Sequence, residues 1–164
     1  MKEERENVTI RPWSMEDAEC LTGQISHPGV LRYMTARMPN PYHLEDAREY
    51  LTKSRDDGSF NRCVLVDGEI AGGIGLSATG LFGYWLGVRY HGRGIATRAV
   101  KLFLQEVPQY VPDCGKLIAC VYEPNVASTR VLEKCGFTRV GFIEPQCAAW
   151  DGNVYRGIQF ELEL

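Results

Sequence analysis

The chain contains no apolar run approaching the roughly 20 residues of a membrane span, so no membrane partner is expected. None of its six cysteines (Cys20, Cys63, Cys114, Cys120, Cys135 and Cys147) forms a C-x-x-C pair. Its three histidines, His27, His43 and His91, are scattered. Neither residue type carries metal-ligand spacing, and no metal is expected. Lys2 to Glu6 are all polar, so no signal peptide is expected and the cysteines read as free thiols of a cytoplasmic protein. No charge of one sign predominates: the net charge is −3, which gives no reason for electrostatic capture of nucleic acid. Repeats, linkers and low-complexity tracts are absent too. The 164 residues read as one domain, 1–164, long enough to bury a core without staples.

What is present is a regular alternation of strand and helix signals. Strands are expected at 8–11, 60–66, 69–77, 82–88, 117–122, 138–148 and 153–163. Asp67-Gly68 marks a two-residue hairpin between the second and third. Ser14, with Asp17 three positions on, opens a helix over 15–25. A short helix is expected near Val30–Met34, between His27-Pro28 and Pro39-Asn40-Pro41, and a longer one over 44–56. Ile95, Ala96, Ala99, Val100, Phe103 and Leu104 give helical spacing, with Pro108 and Pro112 ending that helix. Asn125 caps a further helix that stops at Gly136. A meander of strands followed by β-α-β-α predicts an α/β (α+β) fold, a mixed sheet with helices on both faces.

The most informative stretch runs from Arg89 to Thr97, Arg-Tyr-His-Gly-Arg-Gly-Ile-Ala-Thr, between a strand and an amphipathic helix. Gly92, Gly94 and Ala96 clear side chains from the turn, so backbone N–H groups can converge on an anion at a helix N-terminus. A P-loop would need G-x-x-x-x-G-K-[ST], which is absent. A dinucleotide fold would need a third glycine where Thr97 stands, and an acidic residue ending the next strand. Asp113 instead lies in a turn before that strand.

The segment Gly83 to Val100 resembles the acetyl-CoA motif of the GNAT acetyltransferases, whose Q/R-x-x-G-x-G/A pattern falls on His91, Gly94 and Ala96. His91 departs from the pattern. An aromatic residue there is common in the branch that acetylates ribosomal-protein N-termini. Three further stretches are similar to that branch in the right order: Ile10 to Trp13 with Glu16-Asp17-Ala18, Pro41 to Ala47, and Asp67 to Gly75. A fourth, Asn125 to Ser128 through Lys134 to Phe137, resembles its second cofactor motif.

The resemblance implies a GNAT fold with about seven mostly antiparallel strands and acetyl-CoA as cosubstrate without a metal. It implies an amine acceptor (a protein N-terminus or a small molecule) and leaves a homodimer open. It also implies roles. His91, Gly92, Arg93, Gly94, Ile95, Ala96 and Thr97 would bind the cofactor, the last five presenting backbone N–H groups to the pyrophosphate. Leu86, Gly87 and Val88 would pair with the pantetheine arm, with an N–H near Val88 on the thioester carbonyl. Asn125 would contact the same arm, and Ser128 would donate a hydrogen bond to the departing thiolate. Tyr122 is a second candidate acid. Where the branch often carries carboxylates, this chain has Ala148-Ala149-Trp150 and Gly157, so no residue is assigned as the base. A non-catalytic CoA sensor on the same fold is the alternative reading.

Overall fold

The computed structural model describes residues 4–164, with the side chains of 145–148 left aside. One seven-stranded sheet is built from β1 (Val8–Arg11), β2 (Phe60–Val66), β3 (Glu69–Leu76), β4 (Leu81–Leu86), β5 (Lys116–Tyr122), β6 (Thr138–Ala148) and β7 (Val154–Glu163). Their spatial order is β1-β2-β3-β4-β5-β7-β6. Every neighbouring pair is antiparallel except β4–β5. The helices are α1 (Ala18–Ile25), α2 (Pro28–Leu31), α3 (Leu44–Asp56), α4 (Ile95–Tyr110) and α5 (Val126–Lys134).

Alternation along β4 shows how the sheet divides two cores. Phe82 and Leu86 point into the larger one, with Val100, Phe103 and Val107 of α4, Leu132 of α5 and Phe160 of β7. Trp85 points to the opposite face, where Leu21 of α1 and Leu51 of α3 pack. The two faces meet different partners because successive residues of a strand alternate. One close approach has a backbone requirement. A Cβ on Gly72 would lie 2.1 Å from the Trp85 carbonyl oxygen, so β3 and β4 can run together up to Leu86 only with glycine there.

Local signals formed as their chemistry dictates. Asp67 and Gly68 both have positive φ (49° and 83°), the twist a two-residue hairpin needs. The Ser14 N–H donates to Asp17 Oδ2 at 2.8 Å, closing the capping box, but Met15–Asp17 is a 3-10 turn and α1 begins only at Ala18. The short helix sits earlier than 30–34: His27 Nδ1 accepts from the Gly29 N–H at 2.9 Å and starts α2 at Pro28. Pro108 does not end its helix. Its missing N–H falls in the last turn, where Val111 N–H still reaches the Val107 carbonyl at 2.7 Å, and α4 runs to Tyr110. β4 ends at Leu86 rather than Val88, because Val88–Tyr90 coil into a 3-10 turn.

The buried Asp17 carboxylate receives Arg11 Nη1 at 2.8 Å and Nη2 at 3.0 Å. That pairing holds its pKa below the usual aspartate value, although burial opposes the shift. A depressed folded-state pKa contributes stability above the ordinary aspartate value and loses it as pH falls through the lower one. Asp17→Ala is expected to destabilise the fold by about 2 kcal/mol at neutral pH, since it removes the hydrogen bonds that the buried carboxylate accepts from Arg11 and from the Ser14 N–H. The urea midpoint measures this, and the difference from the parent should shrink as the pH is taken through the acid range.

Candidate active site

β4 and β5 run parallel and pair only at Leu81↔Ile118 and Phe82↔Ala119. Beyond that point they separate, because β4 stays hydrogen-bonded to β3 as far as Leu86 while β5 follows β7 as far as Tyr122. The wedge opens toward the C-terminal ends of both strands, where α4 and α5 begin. A cleft of about 470 Å³ fills it. Tyr84, Trp85 and Leu86 line the cleft from β4, Tyr90 to Thr97 from the glycine-rich loop, and Asn125, Ala127, Ser128, Arg130, Val131 and Lys134 from α5 and its cap. Tyr33 and Met34 also line it.

The loop has the form of an anion site. Gly92 and Gly94 adopt left-handed backbone (φ 70° and 72°), with Gly94 as the N-cap of the 16-residue α4. No side chain caps that helix, so its first N–H groups face the cleft with the positive end of the helix dipole behind them. His91 anchors the turn, with Nε2 at 2.8 Å from the Leu86 carbonyl oxygen. Its role is therefore structural as well as positional. Arg93 donates to the Arg89 carbonyl at 2.9 Å and forms an ion pair with Glu6 of the N-terminal segment. Arg98 supports the same carboxylate from 3.8 Å. Arg130 and Lys134 add positive charge from α5. Their i, i+4 spacing, legible in the sequence, places both on one helix face.

At the fork of the wedge three polar side chains meet. Tyr84 Oη donates to Ser128 Oγ at 3.0 Å, and Asn125 Nδ2 donates to the same oxygen at 3.2 Å. The Ser128 N–H donates to Asn125 Oδ1 at 3.4 Å, which is the expected helix cap. Burial raises the Tyr84 phenol above the ordinary tyrosine value, with the Ser128 hydrogen bond opposing. Ser128 and Asn125 stand out in the sequence by their place at a helix start, whereas Tyr84 reaches them from 44 positions away through strand pairing that no local signal carries.

Not every predicted residue lies in the cleft. Gly87 and Val88 stand just beyond β4 rather than along its edge. The Gly87 N–H is spent on the Ala71 carbonyl at 2.8 Å. Tyr122 faces away from Ser128. Along β5, Leu117, Ala119 and Val121 enter the larger core, so alternation turns Tyr122 to the other face. There it packs on Tyr155, ring centroids 5.6 Å apart. Together with Tyr33, Met34, Met38, Cys120, Ile143 and Gly157 it lines a neighbouring cavity of about 450 Å³. That cavity and the cleft share Tyr33 and Met34 as a common wall. Among the described residues, no group of three or more His, Cys, Asp or Glu is placed to hold a metal ion. Among them too, no helix is long and apolar enough to cross a membrane.

A sheet forked beside an uncapped, glycine-fronted helix, with a hydrogen-bonded hydroxyl at the fork, is open to an extended ligand that carries an anion at one end. A family model described as "Acetyltransferase (GNAT) domain" matches residues 7–138, and the chain belongs to that family of acetyltransferases. No curated protein matches the sequence. Among solved structures, Mycobacterium smegmatis RimJ in complex with CoA-disulfide superposes with a TM-score of 0.83 at 20% identity, over 95% of this chain and 81% of that one. RimL, a ribosomal L7/L12 α-N-protein acetyltransferase in complex with coenzyme A, gives 0.82 at 16%, over 96% and 94%. Spermidine N-acetyltransferase from Vibrio cholerae, with CoA and spermine, gives 0.81 at 16%, over 95% of both chains. At such identities the likeness is one of fold.

Proposed function

We propose that this acetyltransferase moves the acetyl group of acetyl-CoA directly onto a primary amine, a protein N-terminus or a small-molecule amine, through a tetrahedral intermediate. The forked sheet carries this reading. It leaves the backbone of one strand end and the N-terminus of α4 open to a single extended ligand, and it ends on the Ser128 hydroxyl. In this reading the N–H groups of Ile95, Ala96 and Thr97 hold the pyrophosphate, with Arg93, Arg130 and Lys134 around it. Ser128 donates to the sulfur as it leaves, and Val88, which lies outside the cleft lining, is assigned no contact with the thioester. The neutral amine forms the N–C bond, the nitrogen gives up one proton to solvent water, and the C–S bond breaks with its electron pair staying on sulfur. Catalysis rests on positioning and on stabilisation of the departing thiolate. Action in the cytoplasm fits this donor, and Cys20, Cys63, Cys114 and Cys135 are free thiols.

The acceptor's approach is through the cavity behind Tyr33 and Met34, the wall it shares with the cleft. Among the described residues that line it, none carries a charge. An amine on an uncharged body therefore fits better than a polyamine, whose distal ammonium would lie there unpaired. Incubation with acetyl-CoA and a panel of spermidine, arylalkylamines and peptides with free α-amines, following thiol release, tests both points. Turnover on an amine with an uncharged body is expected. Preference for spermidine would overturn the cavity assignment, and tight CoA binding without turnover on any amine would favour the sensor.

Arg93 adds a separate expectation. A bound phosphate must share it with the Glu6 carboxylate. Glu6→Gln is expected to tighten CoA binding by about 2- to 5-fold at low salt, with the gain fading as salt screens it. Titration calorimetry at two ionic strengths reads this directly.

A further inference from the structure

We propose that Tyr84 is a positioning residue that, together with Asn125, makes the Ser128 hydroxyl a one-way hydrogen-bond donor to the departing thiolate. The inference rests on the role given to Ser128 above and adds to it how that role is imposed.

A serine hydroxyl has one proton to give and two lone pairs to receive with. Both receiving positions of Ser128 are filled. Tyr84 Oη reaches Oγ at 3.0 Å from β4, and Asn125 Nδ2 reaches it at 3.2 Å from the helix cap. The orientation of the Asn125 amide is set by its own chemistry, because Oδ1 takes the Ser128 N–H at 3.4 Å and so turns Nδ2 toward the hydroxyl. Among the described residues no acceptor takes the Ser128 proton. The geometry therefore directs that proton into the cleft that all three side chains line. Two incoming hydrogen bonds also polarise the O–H and strengthen it as a donor.

The tyrosine is suited to donating without losing its proton. Its ring sits among apolar neighbours, 6.3 Å from Phe82 centroid to centroid, and burial disfavours the phenolate. Tyr84 therefore stays neutral throughout. The thiolate keeps the electron pair of the broken C–S bond, accepts a hydrogen bond from Ser128 and is protonated by solvent on release. Its position explains why a residue 44 places away in sequence can act here: the β4–β5 fork separates the two strands just enough for a phenol to span the gap to α5.

The test uses Tyr84→Phe, Ser128→Ala and the double variant, with two readouts. The first is the pKa of the thiol of bound CoA, followed by thiolate absorbance in the ultraviolet, which needs no acceptor. The second is kcat and KM for acetyl-CoA with the best amine of the panel. Tyr84→Phe is expected to raise the bound thiol pKa by about half a unit and lower kcat by about 5- to 10-fold, with KM and CoA affinity within 2-fold of the parent. In the Ser128→Ala background the same change should have no further effect on either readout, because the hydroxyl it orients is gone. If Ser128→Ala moves both readouts and Tyr84→Phe moves neither, or if the two effects simply multiply, the Tyr84 inference is overturned while the Ser128 reading stands. If Ser128→Ala moves neither, it is the underlying reading that has failed. Unchanged CoA affinity in Tyr84→Phe shows that the cleft has kept its shape.

Discussion

Gly94→Glu is expected to weaken CoA binding by at least about 100-fold while the protein still unfolds cooperatively. The two halves of this expectation have separate physical causes. Gly94 is the N-cap of α4, and the uncapped N–H groups that follow it are where the pyrophosphate would sit. A carboxylate there would bring a negative charge against the phosphates, and it can itself fold back onto those N–H groups as a permanent occupant. Loss of charge-assisted hydrogen bonds together with like-charge repulsion readily exceeds the roughly 2.7 kcal/mol that a 100-fold change represents. The fold should survive because a Cβ on Gly94 would meet nothing within 4 Å. What remains is the strain of a side chain at φ 72°, about 1 kcal/mol. Gly94→Ala separates the two effects: it carries the backbone strain without the charge, and should lose far less affinity. Calorimetric titration with CoA, alongside thermal melts of both variants, gives the comparison. CoA affinity in Gly94→Glu equal to that of the parent would remove the loop from the cofactor site.

Ser128→Ala should produce the second large effect, this time on turnover. A fall in kcat of about 100-fold is expected, with CoA affinity changed by less than 2-fold, because the hydroxyl acts on charge that appears on sulfur only as the bond breaks. The size follows from losing one well-aimed donor to a developing anion in a partly desolvated cleft. A thiol with an ordinary pKa near 8.5 is already a tolerable leaving group, which keeps the expected loss at the lower end for such donors. The helix cap is preserved, since the Ser128 N–H and Asn125 Oδ1 both remain. A parallel loss of CoA affinity would instead point to a damaged cap. Unaltered turnover would leave Ser128 with a structural role only.

The glycine loop and the Asn125 cap were legible in the sequence because both are local. Positive φ at Gly92 and Gly94 and a side-chain cap on α5 depend on residues within a few positions of one another. The Asp67-Gly68 hairpin and the Ser14 capping box were readable for the same reason. The errors at element ends have an equally local origin. Leu86-Gly87-Val88 looks like continued strand by composition. Yet Gly87 spends its N–H on Ala71 and its carbonyl on Tyr90, and the chain coils. Pro108 looks like a stop, but a proline in the final turn removes a single hydrogen bond that the helix can spare.

The choice of tyrosine shows the limit. Tyr122 lies three residues before Asn125 and is the obvious partner for Ser128 by sequence distance. The structure gives that place to Tyr84 and turns Tyr122 onto Tyr155 in the adjoining cavity. By itself the sequence determined the family, the glycine turn that fronts α4 and the Asn125 cap of α5, since motif spacing and backbone preference act over short range. Only the tertiary structure decided which face each strand residue serves, where β4 and β5 part, and which hydroxyl spans the opening. Strand pairing joins segments far apart in the chain, and a shift of one residue in register reverses every side chain it carries.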